Sequence, residues 1–167
     1  TLTISDQGSG NNHTIPLFDP ALGNLVGVDL ALNLEVLQNF SLENEGNVSQ
    51  TVDVESEGKL LISLPDETSI SANASSSISE KLAAYDGETD FGGLSGKTVE
   101  GVESRGSALQ KYLNLSDFVA SFQNESVSLP VEISTGSSTS GNIVFSLSTV
   151  AESKVCVTYT YEPNGSG

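Results

Sequence analysis

The sequence predicts an all-β protein: an antiparallel β-sandwich of jelly-roll or immunoglobulin-like type, with a strand-forming arm at its N-terminus. Three observations predict it. Apolar and polar residues alternate with period two over long stretches. Ser, Thr, Gly and Asn separate short apolar runs at frequent intervals, as turns do between strands. The chain has 167 residues, 37% of them hydrophobic, with no Trp and no Met, which suits one domain with a core of Val, Leu and Ile.

The N-terminal arm spans roughly residues 1–18, and a single sandwich domain is expected over 19–167. Thr1-Leu-Thr-Ile4 is β-prone, Gly8-Ser-Gly-Asn-Asn12 is a flexible spacer, and Ile15-Pro-Leu-Phe18 carries a proline suited to an edge. An arm of this kind can fold back on its own sheet or be donated to a neighbour's open edge, with Leu2 and Ile4 filling apolar slots. The clearest strand is Leu25–Val36, where Val26, Val28, Leu30, Leu32, Leu34 and Val36 share a face. Shorter strands are expected at Phe40–Asn44, Val48–Val54, Lys59–Leu64, Thr98–Ser104, Ser126–Ile133 and Asn142–Thr149. Turns are expected at Glu45-Gly46, Glu57-Gly58, Pro65-Asp66 and Thr135–Ser138, and helical turns within Ser77–Ala84 and Asn114–Phe122. The last strand alternates Val155, Val157, Tyr159 and Tyr161 against Cys156, Thr158 and Thr160.

The charge narrows the partners. Six basic residues stand against 22 acidic ones, a formal net charge of −16, which repels phosphate backbones and anionic lipid. Nucleic-acid binding is therefore disfavoured, and no apolar run is long enough for membrane insertion. Cys156 stands alone, so neither an intramolecular disulfide nor a four-cysteine zinc site can form. The first residue is Thr rather than Met, and a secretory leader upstream of it is the expectation. Asn12, Asn39, Asn47, Asn73, Asn114, Asn124 and Asn164 each begin an Asn-x-Ser/Thr triplet, so N-linked glycans are expected partners.

The segment Tyr85–Thr98, YDGETDFGGLSGKT, imitates several sites. Asp90-Phe-Gly92 lacks every companion motif of a kinase, and Gly96-Lys-Thr98 lacks the first glycine of a phosphate loop, since residue 91 is Phe. Asp86, Glu88 and Asp90 match the first ligands of a calcium loop, but the positions that require Gly and Glu hold Phe91 and Lys97. The expectation is a solvated acidic turn, with calcium held by those three carboxylates as the alternative; no other cofactor is expected. His13, the single histidine, sits on the arm, where a catalytic imidazole would lack support, and no enzymatic activity is expected.

Three segments together resemble the choice-of-anchor E domain. They are Phe18–Gly23 running into Leu25-Val-Gly-Val28, Tyr85–Gly96, and Val157–Pro163. The resemblance implies a secreted or surface-displayed β domain without enzymatic activity. The chain departs from that pattern in its density of sequons and in ending after Glu162–Gly167 without an anchor. The expected function is an extracellular, glycosylated structural subunit whose copies join head-to-tail into a filament by strand donation. The alternative is a monomeric cell-surface adhesion or binding module tuned by calcium.

Overall fold

A computed structural model of the chain describes residues 1–165. It is 70% strand and 4% helix. The strands are β1 (Leu2–Gly8), β2 (Asn12–Pro16), β3 (Gly23–Asn44), β4 (Gln50–Ser63), β5 (Ser69–Leu82), β6 (Gly96–Tyr112), β7 (Ser126–Thr139) and β8 (Ile143–Pro163). They form two antiparallel four-stranded sheets, in the orders β1-β8-β3-β6 and β2-β7-β4-β5. This interleaved order of eight strands is the jelly roll, which decides between the two sandwich types the sequence left open.

The strands are long. β3 has 22 residues and pairs along its whole length with β8, from Gly23 opposite Pro163 to Asn44 opposite Ile143. At about 3.3 Å per residue this ladder runs about 70 Å. Its inner face carries Val28, Leu30, Leu32, Leu34 and Val36, all buried, as the alternation requires. Against them pack Leu60, Ile62, Ile70 and Ala72 of the other sheet. A second, smaller core of Phe40, Leu42, Val52, Val54 and Leu82 fills the far end. On one side of the sandwich β5 lies against β6, so closely that a Cβ at Gly106 would overlap the Asn73 carbonyl. Only glycine permits that approach.

An aromatic cluster closes the end nearest the N-terminus. Tyr112 meets Phe118 edge-on at 4.9 Å between ring centroids, and Phe18 lies 5.8 Å from Tyr159 and 5.2 Å from Tyr161. The buried hydroxyls keep partners: Tyr112 donates to Asp117 Oδ2 at 2.6 Å and Tyr159 to the Pro16 carbonyl at 2.8 Å.

Several local expectations are corrected. Residues 1–18 do not hang from the domain. β1 is the edge strand of one sheet and β2 of the other, while Ile15 and Phe18 belong to the core. Leu2 pairs with Tyr159 and Ile4 with Val157 of the same chain, so both residues sit in their own sheet. The boundary at residue 18 is thus no structural boundary: the arm's inward side chains are apolar enough to be claimed by the nearest core. Ser77–Ala84 is not a helical turn but mostly β5, and Glu57-Gly58 and Thr135–Ser138 lie inside β4 and β7 instead of between strands. The short strands merge across them, because pairing on both sides of β4 outweighs the turn propensity of Gly and Ser. The helical turn near Asn114 is present as a 3₁₀ turn over Leu115–Phe118.

Replacing Phe118 by Ala removes the ring that joins Tyr112 to Tyr159. The variant should lose about 3–5 kcal/mol of stability, read from the midpoint of urea unfolding.

Candidate functional site

β8 has β3 on one side along its whole length, but β1 covers the other side only from Ser153 to Tyr159. Among the described residues no strand pairs with the outer edge of Ile143–Glu152. The other sheet repeats the arrangement: β2 pairs with Ser126–Pro130 of β7, Val131 donates its N–H to the Asn11 carbonyl, and among the described residues Ile133–Thr139 goes on unpaired on that side. Both bare stretches begin where the β1–β2 connection crosses between the sheets, and both end at the turn Ser140–Asn142. They are the two lips of one side of the sandwich, and the buried Gln38 of β3 bridges them, with Nε2 3.3 Å from Ser137 Oγ and 3.4 Å from Thr149 Oγ1.

The burial pattern follows this break. Val155, Val157 and Tyr159, on the inner face of β8 beneath β1, are 0% exposed, whereas Leu147 on the same face of the same strand is 40% exposed. Phe145 is half-buried and stacks on Phe40 at 5.9 Å. The lips are also short of charge. Ile143–Glu152 reads IVFSLSTVAE with Glu152 as its one charged residue, and Ile133–Thr139 has none, in a chain of net charge −16. Sheet edges are commonly protected by charged or inward-pointing polar side chains. β6 carries Lys97, Glu100, Glu103, Arg105 and Lys111, and β1 turns Asp6 inward, whereas the β8 lip has only Glu152 at its end and the inward-pointing Thr149, which accepts from Gln38 Nε2 at 3.4 Å.

Where the bare stretches begin, three strands are tied together. His13, 3% exposed, places Nδ1 3.1 Å from Asp6 Oδ2 of β1 and Nε2 2.7 Å from Ser153 Oγ of β8. Asp6 Oδ2 also accepts the Thr14 N–H at 2.9 Å. Asp6 therefore ionises below the ordinary carboxylate value of 3.8, chiefly because of the Thr14 N–H, with burial opposing and His13 assisting. His13 was expected on a soft arm; it is instead held at both ring nitrogens. The signal was present in the sequence: His13 and Ile15 share a strand face, and Ile15 had to point inward. The acid–imidazole–hydroxyl order is that of a serine hydrolase, but Ser153 is 1% exposed and its hydroxyl faces the interior.

The calcium alternative fares differently. Asp86 Oδ1 accepts the Glu88 N–H at 3.1 Å and Asp90 Oδ1 accepts the Gly92 N–H at 2.8 Å, so both carboxylates cap turns of their own loop. Among the described residues no group of three or more His, Cys, Asp or Glu side chains is arranged to hold a metal ion, and Asp86, Glu88 and Asp90 do not converge. The loop is organised by Glu43, a buried residue near the end of β3. Its carboxylate accepts the Phe91 N–H at 2.7 Å and the Ser95 hydroxyl at 2.6 Å. Phe91 takes φ +58°, a backbone conformation that this clamp holds in place.

Asn12, Asn39, Asn47, Asn73, Asn114, Asn124 and Asn164 are all exposed. Asn124 lies before β7 with φ +62°, rather than within a strand. The triplet of Asn164 ends at Ser166, outside the described residues. Among the described residues no helix is long and apolar enough to cross a membrane.

No protein-family model and no curated protein matches the chain. Among solved structures, "Structure of infectious bursal disease virus Gx strain" is similar at 15% identity and a TM-score of 0.27, covering 94% of this chain and 29% of that one. The chain thus spans less than a third of the chain it matches.

Glu43→Ala leaves the Phe91 N–H and the Ser95 hydroxyl without their acceptor. It should cost about 1–3 kcal/mol and make the segment 83–95 the first site of limited proteolysis, with the strands still resistant.

Proposed function

We propose that the chain is a secreted, N-glycosylated structural subunit that joins to copies of itself by adding a strand to the bare edge of β8. The observation that carries this reading is that edge: Ile143–Glu152 offers unpaired backbone, an uncovered inner face around Leu147, and almost no charge. In a chain of −16, copies repel one another, and contact is least costly where charge is lacking. Backbone pairing along the edge would give register, and alternate side chains of the added strand would seat between the lips. The added strand is the N-terminal strand of the next copy, whose inward residues are Leu2 and Ile4. Each copy both gives and receives a strand, so the contact is heterologous and grows a filament. The seven exposed sequons support an extracellular site, as does the resemblance to the choice-of-anchor E domain. The mechanism asks for no catalysis and no cofactor.

One observation favours a second reading. β1 already completes its own sheet, which a monomeric surface module would require. In that case the bare edge receives a strand from a different protein.

Light scattering and electron microscopy of the purified glycoprotein separate the two. The first reading expects filaments once β1 is released from its own sheet, lost both on deleting residues 1–7 and in Leu147→Lys, which places a cation on the inner face of the bare edge. A 17.4 kDa polypeptide plus its sugar, unchanged by either alteration, would establish the monomer instead.

A further inference from the structure

We propose that Asp6, His13 and Ser153 form a latch that holds the N-terminal strand in its own sheet, and that opening this latch is the step that frees β1 for another copy. The inference rests on the strand-exchange reading above for its consequence, but not for its geometry.

β1 is a seven-residue edge strand paired on one side only. Its inward residues are Leu2, Ile4, Asp6 and Gly8, opposite Tyr159, Val157, Val155 and Ser153. Leu2 is still exposed and Ile4 only partly buried, so apolar packing holds the strand weakly. What ties it across the sandwich is polar. Asp6 lies on β1, His13 on β2 in the opposite sheet, and Ser153 on β8 beside β1. The bonds Asp6–His13 and His13–Ser153 thus close a loop through both sheets around the connection of residues 9–11. The Thr14 N–H to Asp6 adds a second tie between β1 and β2.

The surroundings leave this cluster to itself. Glu152 and Lys154, the neighbours of Ser153, alternate to the outer face of β8, and the β7 residue opposite His13 is Leu129. On β3 the residue opposite Ser153 is Leu34. Asp6 is therefore the charged group facing the ring.

Chemistry assigns the roles within the latch. The Ser153 hydroxyl can donate to or accept from Nε2, so the imidazole keeps both partners whether neutral or charged. Both bonds to Asp6 end on Oδ2, and both are charge-assisted while the carboxylate is ionised; the protonated acid accepts them only as weaker neutral bonds. Its folded-state value is depressed, so its stabilisation is fully present above the ordinary 3.8 and is lost as pH falls through and below that value. The latch is at full strength from neutrality down to about pH 4 and loosens in stronger acid.

The test is hydrogen–deuterium exchange on the full chain, with rates corrected for the intrinsic effect of pH. In His13→Ala the amides of Leu2–Gly8 should exchange at least about tenfold faster, with those of β3 unchanged. Asp6→Asn should loosen the same segment at pH 7, and wild type should do so below pH 4. Ser153→Ala removes one bond without cutting into the core, and keeps the test open if His13→Ala fails to fold. Unaltered protection of Leu2–Gly8 in Asp6→Asn and Ser153→Ala overturns the latch. Particle size is read in the same samples. A loosened β1 without larger particles keeps the latch and removes the strand-exchange reading. An unchanged β1 in a sample that still forms filaments removes the latch and keeps that reading.

Discussion

The β3–β8 ladder is the constraint on which the rest of this structure depends. One strand near the start of the chain pairs with the last strand over its full length, and every other element takes its position from that pair. β6 adds to the far side of β3, and β1 adds to the near side of β8. The second sheet then covers the inner face. Because the ladder joins residues as distant as Gly23 and Pro163, most of the chain must be ordered before its pairing is complete, and folding is dominated by non-local contacts. The aromatic cluster of Phe18, Tyr112, Phe118 and Tyr159 sits where the two ends of the chain meet, and ties the ladder's end to both sheets.

The unequal lengths of the strands create the candidate site. β8 has 21 residues and β1 has seven, so one edge is covered over part of its length and bare over the remainder. The same mismatch recurs between β2 and β7, and places two bare edges face to face. A sandwich with matched strands would leave no such edge bare. The inner face of β8 shows the consequence: Val155, Val157 and Tyr159 are fully buried under β1, whereas beyond it Ala151, Thr149, Phe145 and Ile143 are partly exposed and Leu147 is 40% exposed. An apolar face that loses its cover within one strand calls for another strand, which is why the edge and not a pocket carries the functional reading.

The acidic loop between β5 and β6 teaches a different lesson. Its resemblance to metal and phosphate sites comes from the residues that a tight crossing between sheets needs: glycines for the turns and Asp side chains that cap neighbouring N–H groups. The carboxylate with the largest structural effect there is Glu43, which lies outside the motif and reaches the loop from β3. A motif search along the chain cannot find such a residue, because its partners are Phe91 and Ser95, far away in sequence.

Alternation alone determined that this protein is a two-layer β structure. The face of β3 from Val28 onward and that of the Val155–Tyr161 segment were legible because burying one face of a strand imposes a period of two on its residues, but Val26, expected on that face, is 45% exposed because the register shifts between Leu25 and Gly27. The strand lengths were not, since Gly58 and Thr135–Ser138 carry turn propensity and become strand only because neighbours pair with them on both sides; at Gly58 a Cβ would come within 2.8 Å of the Val36 methyl. The place of the first 18 residues, the partners of His13 and the bare half of β8 were decided by tertiary structure alone. Each depends on register between strands remote in sequence. Register is set by how whole faces fit together, which no local stretch of residues encodes.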